Sequence, residues 1–294
     1  MHKGTSMKPS TVTAFCPGHI SGYFKRVNGM TPAGTGSIGA GIVIDSGVTA
    51  MVTRSSRREI QINRLDGHGR IREQAAGSPL LSSVMERLGV TASVVTECLL
   101  PIGAGFGLSA AALLSMLTAL NRLYCLNLSE HDIALYAHEA EVQYRTGLGD
   151  VSACQGGGGV VRNGPGIDGR IHRRYDMTEP VYAISFGPIY TPSVLGSPEQ
   201  MERVASAFPR RIPKNGPDFF SISQQFALKS GLATPEVRKV LHLCNTNRIP
   251  ASMTMLGNGV FAYGRDAHAL LGQFGEVFEC HLAHSGARIT GEWI

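Results

Sequence analysis

Pro101-Ile-Gly-Ala-Gly-Phe-Gly-Leu-Ser-Ala-Ala111 sets three alternate glycines ahead of a segment, Ser109 to Cys125, in which Ala, Leu and Met fill nearly every position. Such a filling is that of a buried helix. Upstream, Thr91 to Leu100 has the β-branched and apolar make-up of a strand. The unit is therefore strand, glycine loop and helix. The first amides of a helix have no internal partners and carry the positive end of its dipole, so such a start attracts phosphate. Without Cβ atoms at Gly103, Gly105 and Gly107 the backbone can approach a triphosphate closely, and the Ser109 hydroxyl stands where it could reach an accompanying metal ion. The loop is not of the Walker type, since no Gly-Lys-Ser/Thr follows. Gly105-x-Gly107-x-x-Ala110 fits a loose dinucleotide fingerprint, but no second strand ending in an acidic residue follows the helix. Asn127-Leu-Ser-Glu130 reads instead as a turn and a cap, against a nicotinamide-dependent dehydrogenase.

Further along, Leu128 to Arg145 reads as a second helix with Ser129 as its N-cap and Asp132 in the first turn. It carries His138-Glu-Ala-Glu141 and runs into Thr146-Gly-Leu-Gly-Asp150-Val. His138, Glu141 and Arg145 share one face. A carboxylate on a rigid helix suits Mg²⁺, and an aspartate on a glycine turn can accept a proton from a substrate hydroxyl. Glu139 lies two residues from Glu141 and points elsewhere, so only one of the two can be a metal ligand.

Composition sets the class. In 294 residues, 43% are hydrophobic, 17% are charged and 36 are glycine, which fits a folded chain with a sizeable core and many tight backbone approaches. The longest apolar stretch, Ala110 to Leu120, is far short of the roughly 20 residues of a membrane span. Met1 to Ser10 has no apolar run of the kind a secretory signal needs. Six cysteines without CxxC spacing suggest reduced thiols, and the expected setting is the cytoplasm. The net charge of +5 suits an anionic small molecule as well as nucleic acid. Arg54, Arg57 and Arg58, then Arg170, Arg173 and Arg174, then Arg210, Arg211 and Lys214 form basic clusters with no interleaved aromatics, which disfavours RNA and favours solvated loops. Cys280, His281 and His284, with His242 and Cys244, look superficially like zinc ligands, but their positions scatter them.

Thr11 to Phe15, Gly41 to Thr53, Val181 to Phe186 and Gly259 to Tyr263 also read as strands. Pro198 to Ala207, Ser221 to Lys229, Pro235 to Cys244 and Ala267 to Phe274 read as helices. A mixed α+β architecture follows. The glycine-rich stretch Gly156 to Gly169, followed by the basic run Arg170 to Arg174, marks the expected boundary between residues 1–174 and 175–294.

Three segments together, Ala14-Phe-Cys-Pro17-Gly18-His19-Ile-Ser21-Gly22, Pro101 to Ala112 and Ser252-Met-Thr-Met-Leu256-Gly257-Asn258-Gly259, resemble in order the three motifs of the GHMP kinase superfamily, ATP-dependent small-molecule kinases. The Pro17 to Phe24 segment, Gly34-Thr-Gly-Ser37-Ile-Gly-Ala-Gly41, Thr146 to Val151 and Met255-Leu-Gly-Asn258 look most like the archaeal branch that phosphorylates pantoate on the route to coenzyme A. The resemblance implies two domains, the first like domain 2 of ribosomal protein S5 and the second ferredoxin-like. It implies ATP and Mg²⁺, with Pro101, Gly103, Ala104, Gly105, Phe106, Gly107, Leu108 and Ser109 forming the ATP-binding loop. Ser109 and Glu141 would hold the metal, Glu141 rather than Glu139 because it shares a face with His138. Asp150 would be the base. His19, Ser21 and Ser37 would grip substrate hydroxyls, His138 would orient Glu141 or the substrate, and Arg162, twelve residues after Asp150, would take the substrate carboxylate. Arg145 is the substitute for that last role. Several relatives carry Lys where His19 stands and a second Ser where Leu108 stands. No nucleic-acid or membrane partner is expected, and a homodimer is compatible with all of this.

Overall fold

A computed structural model describes residues 9–294. The chain opens with a long hairpin, β1 (Thr11–Val27) and β2 (Gly36–Arg54), followed by β3 (Glu59–Leu65), β4 (Ile71–Ala76), helix α1 (Pro79–Arg87) and β5 (Ala92–Cys98). After the glycine loop come α2 (Leu108–Tyr124), α3 (Glu130–Tyr144), the one-turn α4 (Asp150–Cys154) and the small hairpin β6 (Gly159–Arg162) and β7 (Ile171–Arg174). The remainder is β8 (Val181–Pro188), α5 (Thr191–Leu195), α6 (Pro198–Ala207), α7 (Gly216–Lys229), α8 (Pro235–Thr246), β9 (Ala251–Met253), β10 (Gly257–Tyr263), α9 (Asp266–Leu271), β11 (Phe278–Cys280) and β12 (Arg288–Trp293).

The first sheet runs β12-β1-β2-β5-β3-β4, with β6 and β7 added beside β2. Its pairs are antiparallel except β3 with β5. In β1, Val12, Ala14 and Cys16 alternate inward against α2, whose Leu117 and Leu120 are wholly buried. The second sheet has the order β11-β8-β10-β9 with every pair antiparallel. Numbered within the second half this is 4-1-3-2, the ferredoxin-like order. The α+β fold read from the sequence is thus the fold observed.

Two features cut across a division at residue 174. The last strand, β12, returns to pair with β1, and one buried apolar cluster runs continuously from α2 through Phe220 and Phe261 of the second half. Gly22 on β1 lets α7 close on the hairpin, because a Cβ there would stand 2.6 Å from the Phe219 ring and 2.2 Å from Ser223 Oγ. Among the described residues no helix is long and apolar enough to cross a membrane.

Helix α3 begins as its sequence demands. Ser129 Oγ accepts from the Asp132 amide while the Asp132 carboxylate accepts from the Ser129 amide, a reciprocal cap. Ser129→Ala should cost about 1 kcal/mol and Leu117→Ala about 2 to 5 kcal/mol in urea unfolding. Equal effects of the two substitutions would contradict the packing described.

Candidate active site

The three glycines of the loop are in the left-handed region, with φ of +75° at Gly103, +85° at Gly105 and +62° at Gly107. A side chain is disfavoured there by strain and also by space. A Cβ on Gly105 would meet the Met255 carbonyl at 2.8 Å, and one on Gly257 would meet the Ala104 carbonyl at 2.0 Å. On the opposite side the His19 amide donates to the Phe106 carbonyl at 2.9 Å. The loop is therefore clamped backbone to backbone between β1 and the turn from β9 to β10, and the three sequence segments meet in one place. Gly107 caps α2 without any side-chain hydrogen bond, so the first amides of that 17-residue helix have no capping side chain.

These segments border a cavity of about 370 Å³. Gly103, Gly105, Gly107, Leu108 and Ser109 line it, as do Ser21, Ser37, Thr146, Gly149 and Asp150. Apolar walls come from Ile62, Leu80, Leu81 and Ile102 and from Phe24, Leu148 and Leu195. The first of these walls was not visible in the sequence, because β3, α1 and the loop contribute one or two ordinary aliphatic residues each.

Two carboxylates stand by the cavity in different states. Glu141, 1% exposed, accepts from the hydroxyls of Ser109 and, at 3.3 Å, Thr146, while its Oε2 has no hydrogen-bond partner among the described residues. Burial, with the neighbouring Asp150 charge adding to it, pushes Glu141 up to about 8. Asp150, the first residue of α4, has 19% of its side chain exposed and accepts from His19 Nδ1 at 2.6 Å. Burial acts to raise it too, but the His19 hydrogen bond and the Arg162 charge outweigh burial and hold it below the ordinary carboxylate range. A buried, half-satisfied carboxylate next to a hydroxyl is a place that a hard cation suits. Mg²⁺ is commonly held by one or two protein oxygens with phosphates supplying more, so Ser109 and Glu141 fit the ion. Glu139, by contrast, faces outward and pairs with Arg87 at 2.5 Å.

Arg162 sits on β6, only 2% exposed, and is no solvated loop residue. All three guanidinium nitrogens lack hydrogen-bond partners among the described residues. The guanidinium lies against Gly149, where a Cβ would stand 1.8 Å from Nη1 and 2.6 Å from Ser37 Oγ. Arg162, Ser37 and Asp150 thus converge on one glycine turn. Neither Arg162 nor Arg145 lines the cavity itself, but Arg162 lies directly behind the lining residues Gly149 and Ser37, whereas Arg145 is exposed at the end of α3.

Two histidines expected at the substrate make protein contacts. His19 is fully buried: its Nδ1 is bonded to the Asp150 carboxylate, and its Nε2, enclosed against Gly41, has no partner among the described residues. His138 shares the buried face of α3 with Glu141, but its Nε2 is bonded to the Thr35 carbonyl at 2.8 Å, because that buried carbonyl needs a donor. It therefore holds the backbone ahead of Ser37. The remaining candidates lie apart from the cavity. Cys280 is buried, His281 pairs with Asp45, and His284 stacks on Tyr175. Arg211 pairs with Asp218 and Arg174 with Asp176.

Residues 77–158 match the family described as "GHMP kinases N terminal domain". A pantoate kinase from Methanospirillum hungatei is 49% identical over 96% of this chain and 98% of its own length. This chain belongs to the GHMP kinases. A pantoate kinase from Thermococcus kodakarensis is 32% identical over 96% of the chain and 99% of its own. Among solved structures, a phosphotransferase related to the CoA biosynthesis pathway superposes with a TM-score of 0.81 at 24% identity, covering 97% of this chain and 99% of that one. A homoserine kinase from Cytophaga hutchinsonii gives 0.65 at 15% identity over 99% and 100%. The superpositions speak for the fold, and kinase membership makes ATP the phosphoryl donor of this family member.

Gly41 gives His19 its room: a Cβ there would stand 2.2 Å from Nε2 and 2.6 Å from the Ile20 carbonyl, whereas nothing lies within 4 Å of one at Gly67. Gly41→Ala should therefore cost about 1 to 3 kcal/mol of stability and lower ATP turnover with it. Gly67→Ala is the control and should do neither; normal turnover in Gly41→Ala would show that the ring is not confined as described.

Proposed function

We propose that this protein transfers the γ-phosphoryl group of ATP to the C4 hydroxyl of (R)-pantoate, forming 4-phosphopantoate for coenzyme A synthesis. The observation that carries the reading is Arg162, a buried guanidinium with no hydrogen-bond partner among the described residues, packed against Gly149 behind the cavity wall that Ser37, Gly149 and Asp150 form. A buried unpaired cation is costly. A substrate carboxylate would pair with it through two parallel hydrogen bonds. The 49% identity to a pantoate kinase points to the same acid.

In this reading the amides of the glycine loop and of the start of α2 bind the phosphates, and Ser109 and Glu141 hold Mg²⁺, which neutralises charge on the phosphates when bound. Asp150, kept ionised by His19, accepts the hydroxyl proton as the oxygen attacks. Arg162 and Ser37 fix the other end of the acid, with His138 acting through the Thr35 carbonyl. Ser21 borders the cavity close to the loop and is assigned to a hydroxyl. Phe24, Leu148 and Leu195 offer an apolar surface to the gem-dimethyl carbon. Positioning and charge neutralisation supply most of the rate in such transfers. A division of labour between residues 1–174, which carry loop, base and Arg162, and residues 175–294, which brace the loop through Gly257, belongs to the same proposal.

An ADP-release screen over pantoate, pantothenate, mevalonate, homoserine and shikimate should single out pantoate; preference for another alcohol would replace the substrate and keep the kinase. Ser109→Ala, Glu141→Gln and Asp150→Asn should each lower kcat by about a hundredfold or more with the fold intact. A loss of a few-fold in Asp150→Asn would reduce that residue to orienting the alcohol. Arg162→Ala should raise the pantoate KM by about tenfold or more with little change in the ATP KM, and an unchanged pantoate KM would remove the carboxylate from Arg162.

A further inference from the structure

The basic run Arg170 to Arg174 has no part in the chemistry above, yet one of its members is not solvated. The Arg173 guanidinium donates from Nη1 to the carbonyls of Ala153 at 2.9 Å and Gly157 at 2.7 Å, and from Nη2 to the Ser152 carbonyl at 3.1 Å. These carbonyls belong to the last turn of α4 and the loop that follows it. A five-residue helix cannot support itself by its own hydrogen bonds, and the last carbonyls of any helix lack internal partners. Helix α4 also has no side-chain cap at Gly149. A guanidinium at its C-terminal end supplies both the missing donors and a favourable charge. The residue at the other end of this single turn is Asp150.

The strand that carries Arg173 is tied to the rest of the site. In the β6 and β7 hairpin, Val160 pairs with Arg173 and Arg162 pairs with Ile171. Val160 packs with Ala153 of α4 and Val43 of β2, and β6 is anchored along Gly39 to Ile42. One short hairpin thus bears both Arg162, whose guanidinium has no hydrogen-bond partner among the described residues, and the guanidinium that clamps the base-bearing helix.

We propose that Arg173 is a positioning residue for Asp150, holding α4 so that the carboxylate stays on His19 and in register with the acid bound at Arg162. The inference rests on Asp150 acting as the base. Replacing Arg173 leaves the carbonyls to water and frees α4 to shift, which moves Asp150 but leaves the glycine loop and its ATP contacts in place.

The test is a double-mutant cycle in the full-length enzyme, with kcat and both KM values measured. Arg173→Ala should lower kcat by about tenfold or more with the ATP KM within about twofold, while in the Asp150→Asn background the same change should cost less than about threefold. Methylguanidinium at low millimolar concentration should recover part of kcat in Arg173→Ala and none in Asp150→Asn. Leu241→Ala, a buried residue of α8 that does not line the cavity, is the stability control and should keep kcat despite a lower Tm. Amide exchange over residues 150–157 should speed up in Arg173→Ala and slow again with methylguanidinium, a readout that holds even if pantoate proves not to be the acceptor. Full kcat in Arg173→Ala, equal losses in both backgrounds of the cycle, or unchanged exchange would each overturn the proposal.

Discussion

The backbone contact between the glycine loop and its two neighbours is the constraint on which the rest depends. His19 donates its amide to Phe106 on one side, and on the other Gly257 approaches Ala104 too closely for any side chain. Because these contacts are main chain to main chain, they fix loop position without spending a side chain, and the amides at the start of α2 remain available. They also bring the edge of the second sheet onto the first. The ferredoxin-like half therefore works as a brace: β9 and β10 present a turn whose Gly257 and Met255 carry the loop from below, while α7 reaches back over Gly22 to the opening hairpin.

Electrostatics then divide the labour of the two acids. Glu141 and Asp150 both lie near Gly147, where a Cβ would stand 2.4 Å from one carboxylate and 2.9 Å from the other. Two carboxylates this close to one another cannot be equally comfortable as anions. Burial leaves Glu141 with only hydroxyl donors and raises it, whereas Asp150 has the His19 ring and the Arg162 charge and is lowered. The acid that lacks a cation is the one bonded to Ser109 beside the glycine loop, and the acid held ionised is the one beside the Arg162 guanidinium. Pairs of acids pushed apart by environment in this way mark opposite roles.

Much of this was legible in the sequence wherever the signal was local. The apolar filling of α2, the Ser129 cap of α3 and the alternate glycines each announce themselves within a few residues, and spacing and family likeness single out Ser109, Glu141, Asp150 and Arg162 as candidates. What could not be read depends on partners far along the chain. Strand β4 is exposed at all six positions and shows no alternation, and β12 earns its place only by pairing with β1 across the whole sequence. His19 was expected on a hydroxyl and His138 on Glu141 or the substrate, because no local rule says which of several nearby acceptors a buried imidazole meets. Arg173 looked like one solvated charge among several, since backbone carbonyls leave no mark in the sequence.

The central claim is that a buried guanidinium recognises the acid of the phosphoryl acceptor while Asp150 activates its hydroxyl. It is tested most directly by comparing kcat/KM for pantoate with that for its uncharged primary amide, in the wild-type enzyme and in Arg162→Ala. The account predicts that the wild type prefers the acid by about a hundredfold or more and that Arg162→Ala loses most of that preference. An identical preference in both proteins would contradict it.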